Sequence, residues 1–372
     1  MSRYRTTGVW LAAVVACAAA AAAEQNAAQA AGQAGQPTPR QEAKAESAAP
    51  LDQKNDYRVT ILVSNEADEA PVVDPKLVNA WGIAASPSGP WWVADNAMAV
   101  STIYRGDGTK VNLEVGVPGA PTGTVFNGGN SFQLAQGKPA TFLFASEDGT
   151  ISAWNGDVDP NAIVIHSEEG SIYKGLAIHG DTLYSTDFAG CSVDAFHGDP
   201  FLGTFEEFDT PGGFQDSSIH EGFCPFGIQA IGDSIFVSYA LKGGEDDIAG
   251  IGHGFVRQFD TDGNLVEKVG SRGLLNSPWG MAMAPADFGK FSGCLLVGNF
   301  GDGKINAFCQ GPHGHWHHQG RLRQHHHTLS VDGLWGIGFG NDGLAGPSNV
   351  LYFAAGPDDE TNGYYGKIEF AP

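Results

Sequence analysis

Seven of the chain's 12 histidines crowd into the stretch HGHWHHQGRLRQHHH, at His313, His315, His317, His318, His325, His326 and His327. Imidazoles at this density are ligands for Zn²⁺ or another transition metal. A second set offers oxygen. Asp95, Asn96, Glu147, Asp187, Asn299 and Asp358 each follow a short apolar run. Carboxylate and amide oxygens gathered at one point would hold Ca²⁺ or Mg²⁺. Lys174 is the lone cation expected in that company, and His220, beside Glu221, is a candidate proton-transfer group. Familiar catalytic signatures are missing: there is no G-x-S-x-G, H-E-x-x-H or Walker loop. GIGFG (336–340) has no helix pattern after it. DTDGN (260–264) lacks the distal Glu of a Ca²⁺ loop and reads as an Asp-Gly hairpin turn.

Whether these groups meet depends on the elements that carry them, and those elements repeat. NAWGIAASP, YKGLAIHGD, CPFGIQAIGD, NSPWGMAMAP and DGLWGIGFGN share a glycine, at Gly82, Gly175, Gly227, Gly280 and Gly336. The first interval is close to double the others, so a further copy is expected between, and Phe132 with Leu134 in GGNSFQLAQG supplies it. Each copy is followed by a second apolar strand, such as WWVADN or FLFASEDG, and then a third, with Gly/Asp turns between. No amphipathic helix is evident. Six units of about four strands make a six-bladed β-propeller, an all-β fold. The last unit has three strands, so Tyr57–Ser64 is expected to complete it and close the ring. The shared glycine would let backbones approach near the axis, and the aromatic before it would pack between blades.

The 372 residues carry 42 Asp+Glu against 20 Lys+Arg, which argues against nucleic acid as a partner. Arg3 and Arg5 precede an apolar stretch grading into alanines, so residues 1–23 read as a signal peptide. VVAC is a partial lipobox, giving Cys17 as a lipid-anchor candidate on an outer-membrane lipoprotein. Residues 24–56, rich in Ala and Gln, read as a disordered linker, and the propeller spans 57–372. No later segment is long and apolar enough to span a bilayer, so a periplasmic or extracellular protein, monomeric, is expected.

The stretch LVSNEADEAPVVDPKLVNAWGIAASPSGPWWVADN, with ASEDGTISAWN and DGLWGIGFGN, resembles an uncharacterised family of exported bacterial propellers within the NHL/SMP-30-like superfamily. The resemblance covers residues 57–370. It implies the fold and export and supplies no settled activity.

Export places the cysteines in an oxidising compartment. Cys294 and Cys309 flank one hairpin, and Cys191 and Cys224 fall at the same end of adjacent blades, so pairs 191–224 and 294–309 are expected. Loops entering first strands and leaving second strands converge on one channel mouth, where the oxygen set and Lys174 belong. The histidine run falls on the rim of blade five. Two functions fit: a binding module for an envelope protein, glycan or small-molecule ligand, or a divalent-metal hydrolase or lyase, lactonase-like by resemblance.

Overall fold

The computed structural model describes residues 54–200, 203 and 205–371. The leader 1–23, Cys17 and the linker up to residue 53 lie outside them. Six four-stranded antiparallel sheets are arranged as blades. Blade 1 is Ala80–Ala85, Trp91–Asp95, Val100–Tyr104 and Lys110–Gly116; blade 3 is Tyr173–His179, Thr182–Asp187, Ser192–Gly198 and Phe205–Phe208. Blade 4 runs from Phe223 to Ser271 and blade 5 from Pro278 to Arg321. Blade 6 takes Leu334–Phe339, Leu351–Ala355 and Tyr364–Phe370, and its outer strand is Tyr57–Ser64, paired from Tyr57 opposite Phe370 to Ser64 opposite Tyr364. Ring closure by the first strand is therefore found. The short strand Val72–Val73 extends this edge in parallel. Asn55 and Asp56 already bind blade 5 and its following hairpin, through Arg321, Arg323 and His325.

Blade 2 corrects one expectation. Its inner strand is Pro121–Phe126, with Gly123 as the repeated glycine. The stretch holding Phe132 and Leu134 forms instead a small insertion, in which Gln133–Ala135 pairs with Lys138–Pro139. The aromatic before the glycine is replaced there by Thr122, whose hydroxyl donates to the Tyr173 and Ala145 carbonyls. Without the aromatic the copy is hard to see.

Successive residues of a strand face opposite sides of a sheet. Here both sides are covered by neighbouring blades, so second strands such as Trp91–Asp95 are buried throughout. Trp91 joins the core between blades 6 and 1, and Trp92 the core between blades 1 and 2. Six such interface cores alternate around the ring.

The repeated glycines explain how tightly the ring closes. A Cβ on Gly227 would run into the Trp279 carbonyl, and one on Gly336 into the Trp81 carbonyl across the closure. The aromatics before them do not sit between blades as expected. Trp81, Phe226, Trp279 and Trp335 turn to the axis and pack on one another, joined by Phe188 and Phe300. Trp335 stacks on Trp81 at 3.5 Å and on Phe300 at 3.9 Å between ring centres. The channel is plugged.

Both expected disulfides form. Cys191–Cys224 joins blade 3 to blade 4, with Cα atoms 4.7 Å apart, and Cys294–Cys309 bridges one hairpin of blade 5, at 4.3 Å. Among the described residues no α-helix occurs, and no helix is long and apolar enough to cross a membrane.

Candidate functional site

Above the aromatic plug, loops from several blades bring polar groups together. Asn79 donates to Asn96 at 3.2 Å, and Asn96 donates to Glu147 at 2.9 Å. Lys174 is 1% exposed and donates to Glu147 at 2.5 Å and to Asp246 at 2.9 Å. Lys174 occupies, before Gly175, the position that Trp or Phe takes in blades 1, 4, 5 and 6. Its ammonium lies 5.2 Å from the Trp81 ring centre, and its backbone carbonyl accepts from the Trp279 indole. A buried cation is tolerated because it is paired on one side and faces a π-system on the other. Burial lowers the Lys174 pKa, but Glu147 and Asp246 outweigh it and hold the group above its ordinary value.

Glu360 reaches the same region from blade 6. Burial raises its carboxyl, and nearby Glu147 and Asp246 add to the shift. It ends a run of three non-glycine residues with left-handed backbone: Asp358 at φ 56°, Asp359 at 51° and Glu360 at 65°. Each costs energy that the surrounding fold must supply, and such strain gathers at functional sites. Asp247, next to Asp246, is also raised by burial. Glu360 Oε1, Asp247 Oδ2, Asn79 Oδ1 and the Trp81 and Trp335 indole nitrogens are buried without a hydrogen-bond partner.

The six oxygen residues expected to hold Ca²⁺ or Mg²⁺ do not share a centre. Asn96 and Glu147 meet. Asp95 points into blade 1, where it accepts from the Thr102 amide and burial pushes its carboxyl well up. Asp187 closes its own loop, accepting from Ser171, Ile172 and Ala189. Asn299 ties Leu274 and Asp302, and Asp358 accepts from Asn362. At the mouth no three carboxylate or imidazole groups approach within 4.8 Å of one another among the described residues. Of the six, Glu147 accepts from the Lys174 ammonium, which Asp246 joins from outside the set.

His220 is exposed and lies 6.2 Å, ring to ring, from Phe255 on the third strand of blade 4, away from the axis. The histidine run is spread out. His317 and His318 follow one another on the outer strand of blade 5, so their side chains diverge. His315 pairs with Glu267 at 2.7 Å, and His318 meets Asn306 at 3.2 Å. His325 and His326 form a left-handed hairpin turn, while His313 and His327 lie outside these contacts. No three of the seven converge within 4.8 Å. Asp246, Asp247 and Glu360 carry no signal in the sequence that would single them out. Asp246 lies inside a long loop, and Glu360 is the third acid of PDDE, with no pattern to rank it above Asp358.

The opposite mouth has the other character. The far ends of all six inner strands enclose a funnel of about 460 Å³, lined chiefly by Ile83, Phe126, Ile178, Met281, Met283 and Phe339. Ser86, Thr124, Asn341 and the exposed Gln229 add polar side chains to its wall.

No family model matches the chain. Two uncharacterised proteins of Acanthamoeba polyphaga mimivirus are similar in sequence. R648 is 32% identical over 331 residues, covering 84% of this chain and 80% of its own length. L690 is 32% identical over 340 residues, covering 84% and 85%. These relatives are viral and lend no support to the expected bacterial provenance. Among solved structures, a Bacteroides thetaiotaomicron protein of unknown function superposes with a TM-score of 0.53 at 13% identity, covering 84% of this chain and 76% of that one. That is a likeness of fold alone. Virginiamycin B lyase from Staphylococcus aureus gives a TM-score of 0.48 at 14% identity, covering 85% and 100%.

Proposed function

The chain belongs to the family that contains the mimivirus proteins R648 and L690, and from that premise we propose that it is a binding propeller that takes a small, mainly apolar molecule in the funnel. The single observation that carries this is the funnel itself. Its volume of about 460 Å³ lies within the ~300–1,000 Å³ of small-molecule sites, and its largely apolar wall with a few polar side chains, Ser86, Thr124, Gln229 and Asn341, matches their usual lining. A wall closed on six sides suits a small molecule better than a protein face. The two methionines can adjust to ligand shape. Export to an oxidising compartment is part of the proposal, supported by the two disulfides.

The test uses the neutral fluorophore N-phenyl-1-naphthylamine. Saturable one-to-one binding is expected, and Ile178→Trp, which fills the funnel while keeping it apolar, should abolish it. Binding that is absent, or unchanged by the filling substitution, would sink this reading.

A second reading, a hydrolase or lyase at the polar mouth, is favoured by one observation: the left-handed turn that holds Glu360 beside Lys174. Lys174 and Glu360 would then handle protons, and a Ca²⁺ or Mg²⁺ would require Lys174 to be displaced. Lactone and ester turnover that disappears in Glu360→Gln, together with elemental mass spectrometry, tests it. No turnover in the unaltered chain would remove it.

A further inference from the structure

A different cluster lies far from both mouths, where the outer strands of blades 2 and 3 come side by side. His166 is on the outer strand of blade 2, Ile163–Ser167, and Glu168 follows that strand directly. Glu207 is on the outer strand of blade 3, Phe205–Phe208. His166 Nε2 stands 3.9 Å from Glu168 Oε2 and 4.0 Å from Glu207 Oε2, and one ligand atom from each residue lies within 4.8 Å of the other two. Among the described residues this is the only such convergence of histidine, cysteine and carboxylate groups.

The arrangement is built rather than incidental. The imidazole packs at a tilt against Phe196, at 4.7 Å between ring centres, and against Phe205, at 5.9 Å. The fully buried Tyr173 places its hydroxyl 3.4 Å from Nε2, at the long limit of a hydrogen bond. Packing thus orients the ring with Nε2 toward the two glutamates, and a metal bound at Nε2 would replace its long contact with Tyr173. Neither glutamate has a lysine or arginine in ion-pair range among the described residues. Both carboxylates are about half exposed, at 50% and 45%, so they can move inward. Tetrahedral bonds of about 2.1 Å put ligand atoms about 3.4 Å apart, a modest closing from the 3.9 and 4.0 Å that now separate His166 Nε2 from the two glutamates.

We propose that His166, Glu168 and Glu207 bind one divalent transition-metal ion of the Zn²⁺ class, which staples the outer edges of blades 2 and 3 and keeps a fourth position for water. One imidazole with two carboxylates is a nitrogen–oxygen set suited to Zn²⁺. The site is independent of the histidine run on blade 5 and of both channel mouths.

The test titrates the metal-stripped full chain with Zn²⁺ alone. The rim histidines would contribute their own binding, so the host is a chain with His313, His315, His317, His325, His326 and His327 changed to Gln. One equivalent of Zn²⁺ should bind. Glu207→Gln and His166→Gln should each weaken it at least tenfold, and Zn²⁺ should raise the melting temperature of the host but not of Glu207→Gln. Glu207→Gln alters an exposed side chain and serves as the folded control, checked by near-ultraviolet circular dichroism. A host that takes up no Zn²⁺, or whose affinity is unchanged by both substitutions, would overturn the proposal.

Discussion

Lys174 carries its ammonium 5.2 Å from the centre of the Trp81 ring, and the two residues hold the same place in their blades, one before Gly175 and the other before Gly82. Blade 3 has thus exchanged an aromatic of the plug for a cation. The exchange draws Glu147 and Asp246 over the channel and turns one mouth polar.

Removing Glu147 should be costly because Lys174 would stay buried with only Asp246, itself 80% exposed, as partner. Glu147→Ala is expected to lose about 2–3 kcal/mol, below the full cost of breaking a buried pair. Lys174→Met in the same chain should restore part of that loss. Urea unfolding of the two single variants and the double variant measures the coupling; strict additivity would mean that the pair is not coupled.

Gly227 and Gly175 should respond unequally to alanine. A Cβ on Gly227 collides with the backbone carbonyl of Trp279, whereas the nearest atoms to one on Gly175 stand at 3.1 Å. Gly227→Ala is expected to cost about 2–3 kcal/mol, as overpacking does, and Gly175→Ala clearly less. Melting temperatures of the two variants decide it, and equal losses would contradict the close approach.

Asp216 should contribute a stability that acid removes. Burial would raise its carboxyl, but the Ser218 hydroxyl and amide and the Arg257 guanidinium outweigh it and hold it at about 2. Its side chain is 4% exposed and Arg257 1%. The folded pKa lies below the unfolded one, so the contribution is complete above about pH 4 and fades as pH falls toward 2. The stability difference between the unaltered chain and Asp216→Asn should be level from pH 5 to 7 and shrink below 4. A difference that stays level down to pH 2.5 would refute the assignment.

The two disulfides should contribute unequal amounts. Their partners are 33 and 15 residues apart. On the chain-entropy view this corresponds to about 4 and about 3 kcal/mol at 25 °C. Paired Cys→Ser variants, unfolded in urea, test the order. A larger loss from the 294–309 pair would show that local hairpin geometry, not loop length, dominates.

Much of the ring is legible in the residue order. Period-2 strands, Gly/Asp turns and five glycines in register lead to six blades, and Tyr57–Ser64 closing the ring follows from counting strands. The blade 2 copy is easily misplaced because Thr122 replaces the aromatic, and an insertion with its own Phe132 stands nearby. The disulfide partners are legible because a hairpin and a shared sheet end constrain distance locally.

The sites are a different matter. Of the six oxygen residues, Asn96 and Glu147 meet, while Asp95 turns into its blade and Asp187 closes its own loop. A strand's end fixes which mouth a residue lies near, but not whether its side chain points to the axis, to its own turn or to the next blade. His166 and Glu207 make the same point from the other side: remote from each other along the chain, they are joined because two outer strands lie edge to edge. Strand pattern and turn chemistry are local and are written in the residue order. Which side chains share a space depends on blade twist, loop path and packing against neighbours, and those are set when the ring closes.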